Sequence, residues 1–355
     1  MAAFVPVLQW GLFPDGDRPF VVAGPCSAES REQVLEAAAA LKEAGVGVLR
    51  AGLWKPRTHP GGFEGVGASG LAWLAEARAA TGMKLSTEVG SAQHVQACLQ
   101  AGVDMLWIGA RTTANPFQVQ EICEALRGAD VPVLVKNPVS PDLDLWIGAI
   151  ERLQAAGISK IGAVLRGFTT LDKTPYRNAP VWEMSTRIRT RLNGLPLFVD
   201  PSHIAGAAEY VKELSQRALD LGACGLLVEV HPHPQEALSD AAQQLTPLQF
   251  KELLGGLKVR RADTTDGAYT RSLEELRARI DGVDSRLLSL LEERMRVSRS
   301  IGVLKKEYGV SILQTGRWEA VMESLRKEAD AIGLDRSMVE EIFSIIHDYS
   351  VKVQE

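Results

Sequence analysis

The chain has little of several things that usually announce a function. Its 355 residues include four cysteines, at positions 26, 98, 123 and 224, and none are spaced as CxxC, which argues against a thioredoxin-like motif or a zinc ribbon. No apolar run reaches the roughly 18 residues needed to cross a bilayer. The opening stretch MAAFVPVLQW lacks the charged start and long apolar core of a secretory signal, so the expected address is the cytoplasm. A formal net charge of −5 gives no general pull toward nucleic acid or an anionic membrane, and neither is expected as a partner. Any anion site must therefore be a local basic cluster. No Walker A motif or strand-linked GxGxxG occurs, which leaves nucleotide binding without support.

What is present suits a core-forming protein: 46% hydrophobic and 23% charged residues are ordinary for a globular chain. The length exceeds one typical domain, whereas a (β/α)8 barrel of about 250 residues would leave a small second domain. From Pro19 to about Gly255, eight short apolar runs alternate with helical periodicity, the pattern of parallel strands with crossover helices. The runs are Pro19–Ala23, Gly47–Ala51, Lys84–Glu88, Met105–Ile108, Val133–Lys136, Ile161–Leu165, Leu197–Asp200 and Gly225–Glu229. Helices are expected at Glu32–Ala44, Ala92–Ala101, Pro116–Arg127 and Ala207–Leu221 among others. We assign residues 1–260 to an α/β TIM barrel, 261–269 (RADTTDGAY) to a linker and 270–355 to a small all-α domain of three helices. In the last, Leu273, Leu276, Ile280, Val283, Leu287, Leu291, Met295 and Ile301 recur every three or four residues, so one long helix is expected up to Tyr308-Gly309. Helices from about Thr315 to Ala331 and from Ser337 to Val353 follow.

Reactive or charged residues stand just after the strand runs: Cys26, Arg50, Glu88, Arg111, Lys136, Arg166, His203 and Glu229. In a barrel those positions share one mouth, where catalytic groups sit. Cys26 in GPCSAES, His203 in DPSH, Glu229 in EVHPHP and Asp240 in LSDAAQQ offer a thiolate, an imidazole and two carboxylates, a set suited to a divalent first-row transition ion. On spacing alone His231 and His233 compete for the same ion. Arg50, Lys55, Arg57, Arg111, Lys136 and Arg166 form a cationic set of the kind that phosphate and carboxylate groups require. Lys136 closes the apolar strand PVLVK, where a lysine would otherwise be a poor choice.

The strings GPCSAES, LRAGLWKPRT, STEV, IGARTTANPF, VLVKNP, LRGF, DPSH and EVHP closely resemble, in order, the 3-deoxy-D-arabino-heptulosonate 7-phosphate (DAHP) synthases of the type I beta class. The resemblance implies that Cys26, His203, Glu229 and Asp240 hold a divalent metal (manganese, iron, cobalt or zinc), and that Arg50, Lys55, Arg111, Lys136 and Arg166 bind phosphoenolpyruvate. Lys55, Pro56, Arg57 and Thr58 would contact erythrose 4-phosphate. Lys55 is the expected general acid, with a metal-bound water or His203 as alternatives. A sister family, which makes 3-deoxy-D-manno-octulosonate 8-phosphate, carries Lys-Ala-Asn-Arg where this chain has Lys55-Pro56-Arg57-Thr58, and that difference favours the heptulosonate reading.

The tail, through LRARIDGVDSRLLSLLEERMRVSRSIGVLK and IFSIIHDYSVKVQ, resembles the three-helix chorismate mutases. By position, the family's substrate contacts match Arg277, Arg294, Lys305, Arg317, Ser350 and Gln354, with Lys305 and Gln354 flanking the ether oxygen of chorismate on its way to prephenate. Where the family has an Asp and an Arg-Glu pair, this chain has Gln314 and Arg317-Trp318, so the acid that meets the substrate hydroxyl is missing and Gln314 is its expected substitute. The domain is expected either to turn over chorismate or to sense chorismate or prephenate and restrain the barrel. Arg277 and Arg294 lie 17 residues apart, about 25 Å along a helix, too far to share one substrate within a chain. A homodimer, or a higher oligomer built on it, is expected to supply Arg277 from a partner.

Overall fold

The computed structural model describes residues 3–13, 19–56, 61–171, 174–260, 266–313 and 315–354. These fall into two compact units, Met1–Ala262 and Asp263–Glu355. Among the described residues, no helix is long and apolar enough to cross a membrane.

In the first unit eight parallel strands close into a barrel in sequence order. They are β1 (Phe20–Gly24), β2 (Val48–Arg50), β3 (Lys84–Val89), β4 (Met105–Ile108), β5 (Val133–Lys136), β6 (Ile161–Leu165), β7 (Leu197–Val199) and β8 (Gly225–Glu229). Four of them have the bounds expected from the apolar runs. The others differ by one residue at one or both ends, where pairing rather than apolarity decides the boundary.

Around the barrel lie α1 (Arg31–Glu43), α2 (Gly70–Thr81), α3 (Ala92–Gln100), α4 (Ala110–Thr113), α5 (Pro116–Ala125), α6 (Leu143–Ala155), α7 (Trp182–Arg191), α8 (Pro201–Ala205), α9 (Ala208–Asp220) and α10 (Pro247–Gly256). Local chemistry sets their starts. Ser30 and Ser91 accept from the amides of Gln33 and His94, Asn115 caps a helix that opens on Pro116, and Thr246 with Gln249 forms a capping box, each satisfying amides that a helix start leaves unpaired. The main core fills the space between strands and helices.

A second core fills the barrel itself. Val7, Trp10, Leu12 and Phe13, from the segment before β1, pack with inward-facing Val22, Val48, Met105, Leu134, Val164, Phe198 and Leu227. Trp10 stacks on Phe198 with centroids 6.0 Å apart, and its indole N–H donates to the Val5 carbonyl at 2.9 Å. Periodicity gives no hint of this plug, because a short segment that seals one end of a barrel has no repeat.

The second unit consists of α11 (Gly267–Glu307), α12 (Thr315–Ile332) and α13 (Arg336–Lys352). They are the three helices expected from the tail, and they break near Gly309 and Gly333. Their packing is thin: among the described residues the buried apolar side chains are Met322, Ala329 and Val339. Leu276, Ile280, Val283, Leu287 and Leu291 on α11 are exposed.

Replacing Trp10 with alanine is expected to cost the barrel about 3–5 kcal/mol, the usual loss for a buried tryptophan. Its guanidinium midpoint would fall with little change in slope, and an unchanged midpoint would show that the plug is not packed.

Candidate functional site

Because all eight strands are parallel, their carboxyl ends meet at one mouth, and four of the last or next residues there are charged and buried. Arg50 ends β2, Lys136 ends β5, Glu229 ends β8 and Asp200 follows β7. Arg50 donates through Nη2 to Glu229 Oε1 at 3.0 Å, and Lys136 donates to Asp200 Oδ2 at 2.8 Å. Trp107 on β4 underlies both cations, its ring 4.8 Å from the guanidinium and 5.8 Å from the ammonium, a stacking that stabilises desolvated charge. Its N–H donates to Glu88 at 3.1 Å. Burial works against the Arg50 charge, yet Glu229 and Asp200 outweigh it and its pKa is raised. Nε and Nη1 of Arg50 are nevertheless buried without a hydrogen-bond acceptor. Unpaired buried donors are costly, and an anionic ligand would complete them.

Beside this lattice stand a thiol, an imidazole and a carboxylate. Cys26, His203 and Asp240 each offer an atom within 4.8 Å of the others. The Cys26 sulfur lies 3.2 Å from Asp240 Oδ2, and Lys55 Nζ donates to that sulfur at 2.7 Å while standing 3.4 Å from the same carboxylate oxygen. Nδ1 of His203 is 2.8 Å from Asp200 Oδ2, a close approach without hydrogen-bond geometry. Burial, and then Glu229, push the Cys26 thiol up against the opposing pull of Lys55. Burial penalises Asp240, but Lys55, His203 and Arg177 hold it well below the usual carboxylate range. Burial lowers His203, against the pull of Asp200 and Glu229. A soft thiol, an imidazole and a carboxylate within reach of one point fit a divalent transition ion. Such an ion would also supply the positive charge that makes Cys26 a thiolate.

Glu229 lies outside the close group. Its Oε1 serves Arg50, its Oε2 accepts from Gln243 at 2.7 Å, and it approaches His203 Nδ1 only to 3.6 Å. Nor are the rival histidines in the group: His231 faces Glu29 at 3.6 Å, and His233 lies beside Glu36 on the surface. Cys98 and Cys123 are core thiols whose pKa burial pushes up to about 12.

The loops that carry these groups are held tightly. Gly24 ends β1 at φ +149°, where an added Cβ would stand 2.0 Å from the Arg50 carbonyl oxygen, so the Cys26 loop can lie against β2. Cys26 N–H donates to Gln244 at 3.0 Å, and the hydroxyls of Ser27 and Ser239 are 2.8 Å apart. These bonds tie the loop after β1 to the one that presents Asp240. Asp200 also caps α8 by accepting from the His203 amide at 3.0 Å.

Arg166 completes the cationic wall. Its amide donates to Asn137 and its guanidinium to Asn178, at 2.7 and 3.0 Å. Burial pulls its pKa down to about 10 against the help of Asp200, and Arg177 and Arg111 lower it further. A polar cavity of about 80 Å³ is lined by Lys55, Glu88, Arg111, Lys136, Arg166 and His203, among others. A hollow of about 360 Å³ shares Lys55, Pro56, Glu88 and Arg111 with it, and is walled by Trp54 stacked on His94 at 4.1 Å. Arg57 and Thr58 lie outside the described residues. Asp200, Arg177, Asn178 and Gln243 also belong to the site, but sequence reasoning did not single them out. Asp200 had a signal as the cap before Pro201, and the other three had none.

In the helical unit, Arg294 donates to the Ser350 hydroxyl, and Gln354 donates to the Ser350 carbonyl at 2.9 Å. Gly302 permits this approach of α11 to the end of α13, since a Cβ there would meet Gln354 Cα at 2.7 Å. Burial lowers the Arg294 pKa. Lys305, 11 residues beyond Arg294 and so about three turns along the same face, donates to the Ile312 carbonyl. Arg277 and Arg317 are exposed, and Gln314 lies outside the described residues. Trp318 stacks on His347 at 4.0 Å.

Comparison with known proteins agrees with this division. Residues 11–262 match the DAHP synthetase I family and residues 276–355 match chorismate mutase type II. A phospho-2-dehydro-3-deoxyheptonate aldolase of Thermotoga maritima is 37% identical over 238 residues, which is 67% of this chain and 68% of that protein. A crystal structure of a phospho-2-dehydro-3-deoxyheptonate aldolase (DAHP synthase) from Thermotoga maritima superposes with a TM-score of 0.62 at 35% identity, covering 70% of this chain and 75% of that one. A 2-dehydro-3-deoxyphosphooctonate aldolase of Bradyrhizobium is 28% identical, covering 69% of this chain and 91% of its own length. The chain thus belongs to the DAHP synthetase I family, and it carries a type II chorismate mutase domain after its barrel in the sequence.

Proposed function

We propose that the barrel condenses phosphoenolpyruvate with erythrose 4-phosphate to DAHP and phosphate, and that the helical unit rearranges chorismate to prephenate. The observation that carries the first reading is a buried Arg50 with spare donors, set with Lys136 in the same mouth as the Cys26, His203 and Asp240 group. Arg50, Lys136, Arg166 and Arg111 suit the phosphate and carboxylate of phosphoenolpyruvate. The hollow edged by Lys55, Pro56 and Arg111 suits an aldose phosphate entering behind it.

Cys26, His203 and Asp240 would hold a divalent metal. The family resemblance adds Glu229, whose oxygens also accept from Arg50 and Gln243 and keep lone pairs for a further partner. When bound, the metal would polarise the aldehyde of erythrose 4-phosphate. The methylene carbon of phosphoenolpyruvate attacks the aldehyde carbon, water adds at the neighbouring carbon, and phosphate leaves. Lys55 serves as general acid toward the aldehyde oxygen. Burial opposes its charge, but Cys26, Glu229 and Asp240 more than offset that and raise its pKa, so it arrives protonated. The fixed cations stabilise the charge on substrate and intermediate without reorganising.

In the helical unit the rearrangement needs no nucleophile, only a cage that holds the reactive shape and donors for the ether oxygen. Arg294, Lys305 and Gln354 suit that task, with Ser350 beside Arg294 and Gln354, and the family resemblance adds Arg317. The exposed apolar stripe of α11 favours a homodimer in which the partner chain brings its own Arg277 to the site. Trp318, at the position of the family's acid, favours a second reading in which this unit mainly senses chorismate or prephenate and restrains the barrel.

Three outcomes are expected. Chelator treatment and Cys26→Ala should each lower phosphate release from phosphoenolpyruvate plus erythrose 4-phosphate, on the order of 100-fold or more. Activity indifferent to chelator would sink the metal assignment, and a preference for arabinose 5-phosphate would sink the aldose assignment. Arg294→Ala and Lys305→Ala should each lower chorismate consumption by about 100- to 1,000-fold, whereas a wild type already without turnover supports the sensor reading. Sedimentation should show at least a dimer, and a monomer at micromolar concentration would contradict the shared site.

A further inference from the structure

Asp240 uses its two oxygens differently. Oδ2 faces the Cys26 sulfur and Lys55, while Oδ1 accepts from Arg177 Nη1 at 2.8 Å. The same Arg177 nitrogen donates to Gln243 Oε1 at 3.0 Å, and Gln243 in turn donates to Glu229 Oε2 at 2.7 Å. One guanidinium therefore reaches the first carboxylate directly and the second through an amide. Asp240 itself sits at φ +49°, in the left-handed region that Asp adopts more readily than most L residues.

Arg177 is placed with some care. It lies in the loop between β6 and α7, and its amide donates to the Ala205 carbonyl while that of Asn178 donates to Ile204. Gly206, at φ +72°, leaves the room it needs, since a Cβ there would fall 2.3 Å from Arg177 Cβ. Asn178 holds the neighbouring bond, donating to the His203 carbonyl at 2.7 Å and accepting from Arg166. The loop after β6 is thereby fastened to the short helix that presents His203 and, through Arg177, to Asp240 across the mouth.

We propose that Arg177 is a positioning residue for the metal site: by clamping the Asp240 oxygen turned away from Cys26, it fixes the other oxygen for ligation and sets the affinity for the divalent ion. This rests on the reading that Cys26, His203 and Asp240 hold a metal. Partners that orient ligands in this way typically change metal affinity about 10- to 100-fold when removed. Half of the Arg177 side chain is exposed and it lines the polar cavity, so the competing role is contact with substrate, which would leave metal affinity alone.

The test is Co²⁺ titration of the full metal-free chain against a competing chelator, read by the thiolate-to-cobalt absorption, for wild type, Arg177→Ala and Arg177→Gln. The glutamine keeps a hydrogen-bonding side chain over Gly206 without the charge. Both variants should bind Co²⁺ about 10- to 100-fold more weakly, with a shifted cobalt spectrum and an unchanged melting temperature of the metal-free protein. Either folded variant binding Co²⁺ within twofold of wild type overturns the proposal, as does a change confined to the KM of a substrate. A wild type that takes up no Co²⁺ removes the metal reading itself, an outcome distinct from equal affinities.

Discussion

Bringing many charges out of water to one point is expensive, and the architecture of the barrel mouth answers that cost. Arg50, Lys136, Asp200 and Glu229 are buried in an otherwise apolar barrel, and each is tolerable only because an opposite charge stands 2.8 to 3.9 Å away. Desolvation of an unpaired ion in such a place would cost several kcal/mol. The pairing is incomplete, however, because Arg50 keeps two donors unsatisfied. Buried donors left without an acceptor mark a place where the electrostatics are unfinished.

The rest of the first unit serves that arrangement. Eight short strands bring residues far apart in sequence to one rim, and the plug of Val7, Trp10, Leu12 and Phe13 seals the apolar interior below. Helix caps, the Ser27–Ser239 contact and the Cys26–Gln244 bond hold the loops, so the polar groups meet with little freedom. Preorganisation of this kind lets fixed dipoles and charges act on a reacting substrate without being rearranged. The helical unit applies the same principle with less material. Its polar cluster at Arg294, Ser350 and Gln354 is ordered by one bond from α11 to α13 and one at the end of α13, while much of its apolar surface remains exposed on the single chain.

Much of this was readable beforehand, because the signals are periodic or local. Strands at Met105–Ile108 and Ile161–Leu165 are uninterrupted apolar runs, and Lys136 was conspicuous as a charge closing one of them. What could not be read depends on contacts between segments without a repeat. The barrel plug has no period, and Arg177 meets Asp240 across 63 residues. Asp200 looked like a strand end, although its carboxylate faces Arg50, Lys136 and His203 at once. Spacing names Glu229 as a candidate ligand but says nothing of Arg50 and Gln243, which reach its two oxygens from distant segments.

The central claim is that one mouth holds a metal and an enol phosphate side by side. Anomalous diffraction from crystals grown with Mn²⁺ and phosphoenolpyruvate tests it most directly. The account predicts a single strong peak bounded by the Cys26 sulfur, His203 and Asp240, with the phosphoenolpyruvate phosphate and carboxylate among Arg50, Lys136 and Arg166. A peak at any other place, or phosphoenolpyruvate bound away from Arg50, would contradict it.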